Sequence, residues 1–263
     1  MQKWFRFHTR SLNSHMFATI NHKGEIYKAD LDQPIDISIP MSDHSARAWY
    51  VEPMRIEPVR NGEWVGEVKS GGSVNFRNIF FNPHGHGTHT ECVGHISPEI
   101  ENVNQHLKKY FFIAELITVL PERLKEGDFI ITRNQLEILL EGKNPEAVVL
   151  RTIDNSEKKL EQNWSNTNPP YLSEDAALFL AQKKVDHLLL DLPSVDREID
   201  EGKLLAHRAF WEYPHNTQFQ RTITEFIYVP NSVFDGKYLL NLQTAPFVND
   251  ATPSRPVLFR IIT

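Results

Sequence analysis

One α/β domain built on a mixed sheet is the fold class the sequence predicts, and three observations predict it. Stretches rich in β-branched and aromatic residues recur along the chain, one helix runs directly into a buried strand, and turn dipeptides between extended stretches call for antiparallel pairs as well. No fixed-period repeat or low-complexity tract interrupts the pattern, which excludes solenoids, propellers and long linkers. With 263 residues, 40% of them hydrophobic and 24% charged, the chain has a globular composition and a length that fits one large domain or two small ones.

The expected strands, in order, are 49–51, 74–76, 111–120, 129–132, 147–153, 187–192, 224–229, 238–242 and 257–262. The clearest helix begins after Ser173, a side chain suited to capping the first free N–H groups. Glu174 and Asp175 follow, where the positive end of the helix dipole favours acids, and Lys183 and Lys184 close the last turn. Its apolar stripe is Ala177, Leu178, Leu180 and Ala181. Shorter helices are expected over 135–140 and 203–210. Asn61-Gly62, Gly71-Gly72 and Asp235-Gly236 are turns, and the polar stretch 156–170, ending in Pro169-Pro170, reads as a surface loop.

Charge and cysteine content narrow the function. Lys and Arg total 28 against 34 Asp and Glu, a net charge of −6, so there is no basic field to attract nucleic acid or anionic lipid. Cys92 stands alone, so no intrachain disulfide or cysteine-based zinc finger can form. The N-terminal 1–17, with Lys3, Arg6 and Arg10, lacks the continuous apolar core of a signal peptide. The longest apolar run, 110–119, is broken by Glu115 and falls short of the roughly 20 residues that span a bilayer. The expectation is a cytoplasmic protein that handles a small molecule.

Four of the twelve histidines, His84, His86, His89 and His95, share a twelve-residue window in which even spacing would put about half of one. The stretch reads Asn-Pro-His-Gly-His-Gly-Thr-His-Thr-Glu-Cys-Val-Gly-His from Asn82 to His95. Imidazole nitrogens with one carboxylate suit zinc, manganese or iron. In an extended chain alternate side chains share a face, so His89, Glu91 and, if extension continues, His95 converge. Chance histidines on a polar loop are the bland alternative, and the density of the cluster weighs against it.

Gly87-Thr88-His89-Thr90-Glu91, with His95 four residues after the acid, resembles the metal motif of the cyclase family, which includes bacterial kynurenine formamidases and isatin hydrolases. The resemblance extends through Asp36-Ile37-Ser38-Ile39-Pro40, Leu150-Arg151-Thr152, the turn Asp191-Leu192-Pro193-Ser194-Val195-Asp196, and Ser254-Arg255-Pro256-Val257, covering the chain from about residue 35 to its end. It implies a barrel-like β/β/α fold of the swivelling type in a single metal-hydrolase domain, 1–263, with 1–34 as an N-terminal extension. It also implies one or two divalent ions, zinc or manganese. His84, His89 and Glu91 would hold the first; Glu91 with His207 and Glu225 would hold the second. His95 corresponds to a histidine that passes the proton.

Two departures stand out. Glu91 replaces the family's usual Asp and adds a methylene. The family's first histidine falls on Gly85 here, so His84 is one residue early and His86 one late. A bulge at the glycines would return His84 to the face of His89, and His84 is therefore the expected ligand, with His86 as the alternative. The segment 208–221 looks like an insertion or lid.

The implied reaction is hydrolysis of an amide C–N bond, as in N-formylkynurenine going to kynurenine and formate, or of a related cyclic amide, imide or lactone. Homodimers or larger oligomers are implied too. The main rival is a non-catalytic metal-binding protein, structural or ligand-sensing. A Cys92–His95 hydrolase is weaker, and Gly71-Gly72-Ser73-Val74-Asn75 lacks the second glycine of a serine nucleophile elbow. Trp49, Tyr50, Phe80 and Phe81 offer an aromatic slot for a flat substrate, but aromatic residues at alternating strand positions are more often simply core, and they are not named as binding residues.

Overall fold

A computed structural model describes residues 15–262. Seven strands close into a barrel: β1 (His89–Glu91), β2 (Phe111–Val119), β3 (Ala147–Thr152), β4 (His187–Leu190), β5 (Thr222–Glu225), β6 (Gly236–Thr244) and β7 (Ala251–Ile262). The order around it is β7-β6-β2-β3-β4-β5-β1, and β1 pairs with β7 to seal the circle. Neighbours from β2 to β5 are parallel, and all pairings that involve β6, β7 or β1 are antiparallel. The mixed sheet expected from the sequence is thus a closed one.

Parallel neighbours require crossovers. After a one-turn α1 (Val103–His106) ahead of β2, the crossovers carry α2 (Arg133–Leu139), α3 (Glu174–Gln182) and α4 (Leu205–Trp211). Thr132 and Gln135 cap α2 reciprocally, and the Ser173 hydroxyl accepts the Ala176 N–H at the start of α3. Every residue of β3 and β4 is buried, as strands covered on both faces must be. Val148, Leu150, Leu188 and Leu190 pack beneath the helices, whereas Ala147, Val149 and Leu189 meet Phe112, Ala114 and Leu240 on the other face. Arg151 interrupts this apolar run, and its guanidinium donates to Thr118, the Pro230 and Val233 carbonyls and Asp235, each at 2.9 Å.

Ahead of the barrel in sequence, the hairpin Phe17–His22/Glu25–Asp30 adds onto the end of β7 through Ala29–Ile261 and Lys28–Ile262. Most of the stretch expected to lack a signal-like core, residues 1–14, lies outside the described residues. Among the described residues no helix is long and apolar enough to cross a membrane.

Several expected strands shift. Residues 49–51 form a turn, not a strand, because Trp49 and Tyr50 both adopt left-handed backbone (φ 60° and 59°). The strand expected at 74–76 begins later, at Arg77–Phe80, where it pairs with Arg55–Pro58 in an exposed ribbon. The one expected over 224–229 starts at Thr222 and stops at Glu225, since Phe226 turns left-handed (φ 55°). The loop 156–170 is also no mere surface loop. It buries Trp164 and sends the Lys159 ammonium 2.8 Å from the buried Asp191 carboxylate.

Candidate metal centre

Barrel closure builds the site. β1 lies between β5 and β7, with His89 opposite Glu225 and Glu91 opposite both Ile223 and Ala251. Because side chains alternate, His89, Glu91 and Glu225 share the face that carries α4. Cys92, next along the chain, belongs to the cluster on the other face. The 3₁₀ turn Val93–His95 then folds His95 back beside Glu91, and α4 supplies His207.

His84 enters from a tight turn in which the Asn82 carboxamide oxygen accepts the N–H groups of His84 and Gly85. Gly85 suits the turn: a Cβ would stand 2.8 Å from Val51 Cγ2, which would have to move. The expected strand bulge is therefore a turn, with the same consequence, since His84 Nδ1 lies 3.1 Å from Glu91 Oε2. His86 points elsewhere. Its Nδ1 accepts the Asn82 N–H and its Nε2 bonds the Glu52 carbonyl, so neither nitrogen is left for an ion.

Three histidines follow one plan. Each ties one ring nitrogen to an oxygen outside the cluster: His84 Nε2 to Asp250 at 2.7 Å, His89 Nδ1 to the Gly87 carbonyl at 3.1 Å, His207 Nδ1 to Asp196 at 2.6 Å. The other nitrogen of each then faces a central carboxylate, His84 and His207 toward Glu91 at 3.1 Å and His89 toward Glu225 at 3.3 Å. His89 Nε2 and Glu91 Oε2 are buried without a hydrogen-bond partner among the described residues. A lone pair facing a carboxylate needs a proton or a metal cation between them, so these residues fit an ion. Donor atoms of His84, His89 and Glu91, and separately of Glu91, His95 and His207, lie within 4.8 Å of one another.

The electrostatics agree with a cation site. Burial disfavours charge on His84 and His207, yet hydrogen bonds to Asp250 and Asp196 and the nearness of Glu91 outweigh it and raise both pKa values to about 10. Burial likewise opposes ionisation of Glu91, but His95, His207 and His84 hold it well below the ordinary carboxylate range. The hydrogen bond from His84 and the nearness of His95 depress Asp250. An ion would displace the histidine protons. Burial pushes the Cys92 thiol up to about 12, which removes it as a thiolate nucleophile.

His84, His89, Glu91, His95, His207 and Glu225 thus come together, while His86 does not. Two carboxylates escaped sequence reasoning. Asp196 sat in a quoted turn with nothing to mark its aim at His207; Asp250 carried no local signal at all. Beside the cluster is a cavity of about 390 Å³ walled by Trp49, Val51, Asn82, Ser194, Arg197 and Leu204 among others. Trp49, read as core, is part of that wall. No residue of 208–221 is, so the expected lid lies elsewhere: Trp211 packs in the core under the helices and Arg221 binds the Ala181 carbonyl. The crossover ahead of α4 contributes Asp196, Arg197, Glu198, Asp200 and Leu204 to the cavity's lining.

Residues 35–197 match the model of the Cyclase family, described as "Putative cyclase", and the chain belongs to this family. None of the curated proteins matches the chain. Among solved structures it is similar to one described as a potential metal-dependent hydrolase with cyclase activity, at 20% identity and a TM-score of 0.61, over 86% of this chain and 97% of that one. It also resembles an isatin hydrolase bound to the product analogue thioisatinate, at 14% identity, TM-score 0.62, with 88% and 93% covered. Isatin hydrolase A from Ralstonia solanacearum aligns at 12% identity, TM-score 0.64, with 86% and 91% covered. At such identities these likenesses establish the shared fold.

Proposed function

We propose that the chain is a metal-dependent hydrolase of an amide C–N bond, an arylformamidase or an enzyme for a related cyclic amide, imide or lactone. The observation that carries this reading is the set of three imidazole nitrogens turned inward on Glu91 and Glu225 at 3.1 to 3.3 Å beside an open cavity. His84, His89 and Glu91 would hold one ion and Glu91, His207 and Glu225 a second, zinc or manganese by their donors. A divalent ion held there would supply Lewis acidity and a source of hydroxide at neutral pH.

The protein's own groups do the rest. His95 is the freest ring: its nitrogens stand 4.0 Å from Glu91 and 3.7 Å from Asp250, beyond hydrogen-bond distance, and its side chain is 31% exposed. It is placed to take the proton of an attacking water and return it to the leaving nitrogen. Trp49 and Val51 offer a flat apolar substrate a wall, and Arg197 and Glu198 add polar groups to the lining. Relatives named isatin hydrolase act on a ring of this kind, which agrees with the proposed substrate class.

A metal-binding role without catalysis is the second reading, favoured by the donor group Glu91, His95 and His207, which would close the site if His95 were a ligand. Elemental analysis separates the two. His89→Ala should abolish metal loading, whereas His95→Ala should keep it and lower turnover by roughly two to four orders of magnitude; equal metal loss in both favours the closed site. Turnover is read by screening metal-loaded protein against aryl formamides, cyclic imides and lactones, and failure on all three classes would overturn the hydrolase reading. Association into dimers or larger assemblies belongs to the same proposal and is measured by sedimentation.

A further inference from the structure

We propose that Asp250 is a positioning residue of the metal centre, an outer carboxylate that orients His84 so that its Nδ1 faces the ion. This rests on the metal-centre reading above. Asp250 lies outside the stretch matched by the family model and far from the histidine cluster in sequence.

His84 comes from one residue before the position where the family motif has its first histidine, and it approaches the cluster from the cavity side. A ring reaching in from there, with 21% of its side chain exposed, needs an anchor to keep one face inward. Asp250 Oδ2 supplies it at 2.7 Å from Nε2. With the proton on Nε2, the Nδ1 lone pair is directed at the region of Glu91 Oε2, 3.1 Å away. The same Asp250 oxygen lies 3.7 Å from His95 Nδ1, beyond hydrogen-bond distance, and the His84 and His95 rings lie 4.2 Å apart with their planes tilted by 31°, so the carboxylate anchors His84 alone.

The fold holds Asp250 firmly. It directly precedes β7, whose Ala251 pairs with Glu91, and its carbonyl accepts the Cys92 N–H at 3.0 Å. Gly94 makes the approach feasible: a Cβ there would sit 2.3 Å from the Glu101 carbonyl oxygen and 3.1 Å from Asp250 Cβ. Hydrogen-bonded carboxylates of this kind fix the tautomer and orientation of a ligating imidazole and commonly change metal affinity by about 10- to 100-fold.

The test is a cobalt(II) titration of metal-free full-length protein, followed by visible absorption, together with ¹⁵N NMR of the His84 ring in zinc-loaded protein. Asp250→Ala should weaken cobalt binding by about 10- to 100-fold and mix the two His84 tautomers. Asp250→Asn, whose amide oxygen still accepts from Nε2, should recover most of the affinity and the Nε2–H tautomer. An alanine variant that binds cobalt as well as wild type would overturn the assignment alone. Alanine and asparagine variants equally crippled, with an altered cobalt spectrum, would make Asp250 a ligand and overturn it too. Wild-type protein that takes up no cobalt would overturn the metal-centre reading itself, a distinct result.

Discussion

Two carboxylate–histidine pairs flank the centre, Asp196–His207 and Asp250–His84, and their hydrogen bonds are nearly the same length, 2.6 and 2.7 Å. Their surroundings differ. The first is closed off, with side chains 7% and 2% exposed; the second is partly open, at 27% and 21%. Asp196 also accepts the backbone N–H groups of Ala206 at 2.7 Å and His207 at 3.2 Å, so it caps the first turn of α4 as well as holding the ring. Asp250 accepts only from the His84 imidazole among the described residues. One pair is woven into the folding of a helix, while the other is an accessory at the barrel seam. The same interaction can therefore serve stability and metal binding together, or metal binding nearly alone.

The largest expected effect erases the contrast by removing what both histidines face. Glu91→Gln should cut bound metal from about one to two ions per chain to background, because the one buried oxyanion common to both donor groups is lost. Elemental analysis after dialysis checks it, and retention of a full complement would break the comparison at its centre. Next come the two outer carboxylates. Asp196→Ala should lower the unfolding free energy of metal-free protein by about 2–4 kcal/mol, combining a lost cap with a buried imidazole left without its partner. Asp250→Ala should cost less than about 1 kcal/mol, as its pair is partly exposed. Urea unfolding of both variants measures the difference, and equal losses would mean that the seam pair is as structural as the helix pair.

The two pairs were also unequally legible. His89 and Glu91 could be read because they alternate within three residues, and the helix from Ser173 because its cap, dipole charges and apolar stripe are all local. His207 and Glu225 came only through a family resemblance, since the contacts joining them to Glu91 and His89 span more than a hundred residues. Asp196 was visible as part of a turn but not as a partner. Asp250 depended on closure of β7 against β1, which no local period encodes. Trp49 and Phe226 misled strand assignment for a related reason: their left-handed backbone is imposed by packing, whereas their β-favouring side chains are what the sequence displays.

Another buried histidine, His187, isolates what burial does when no carboxylate is near. Its ring packs 3.9 Å from that of Phe112, with Nδ1 2.9 Å from the Thr222 hydroxyl. Burial, helped by Lys109, drives its pKa down to about 3, opposite in direction to His84 and His207. Since the folded-state value lies below the unfolded one, near 6.5, the unfolded chain binds the extra proton throughout the interval between them. Stability thus falls as pH drops from about 6.5 toward 3, by at most about 1.4 kcal/mol per pH unit from this group. His187→Gln keeps a polar partner for Thr222 and cannot titrate. The stability gap between metal-free wild type and this variant should therefore shift by about 2 kcal/mol in the variant's favour between pH 6.5 and 4.5, measured by urea unfolding at each pH. A gap that stays constant would mean that His187 is protonated in the folded state, and that nearby acids rather than burial set the charge of this protein's interior histidines.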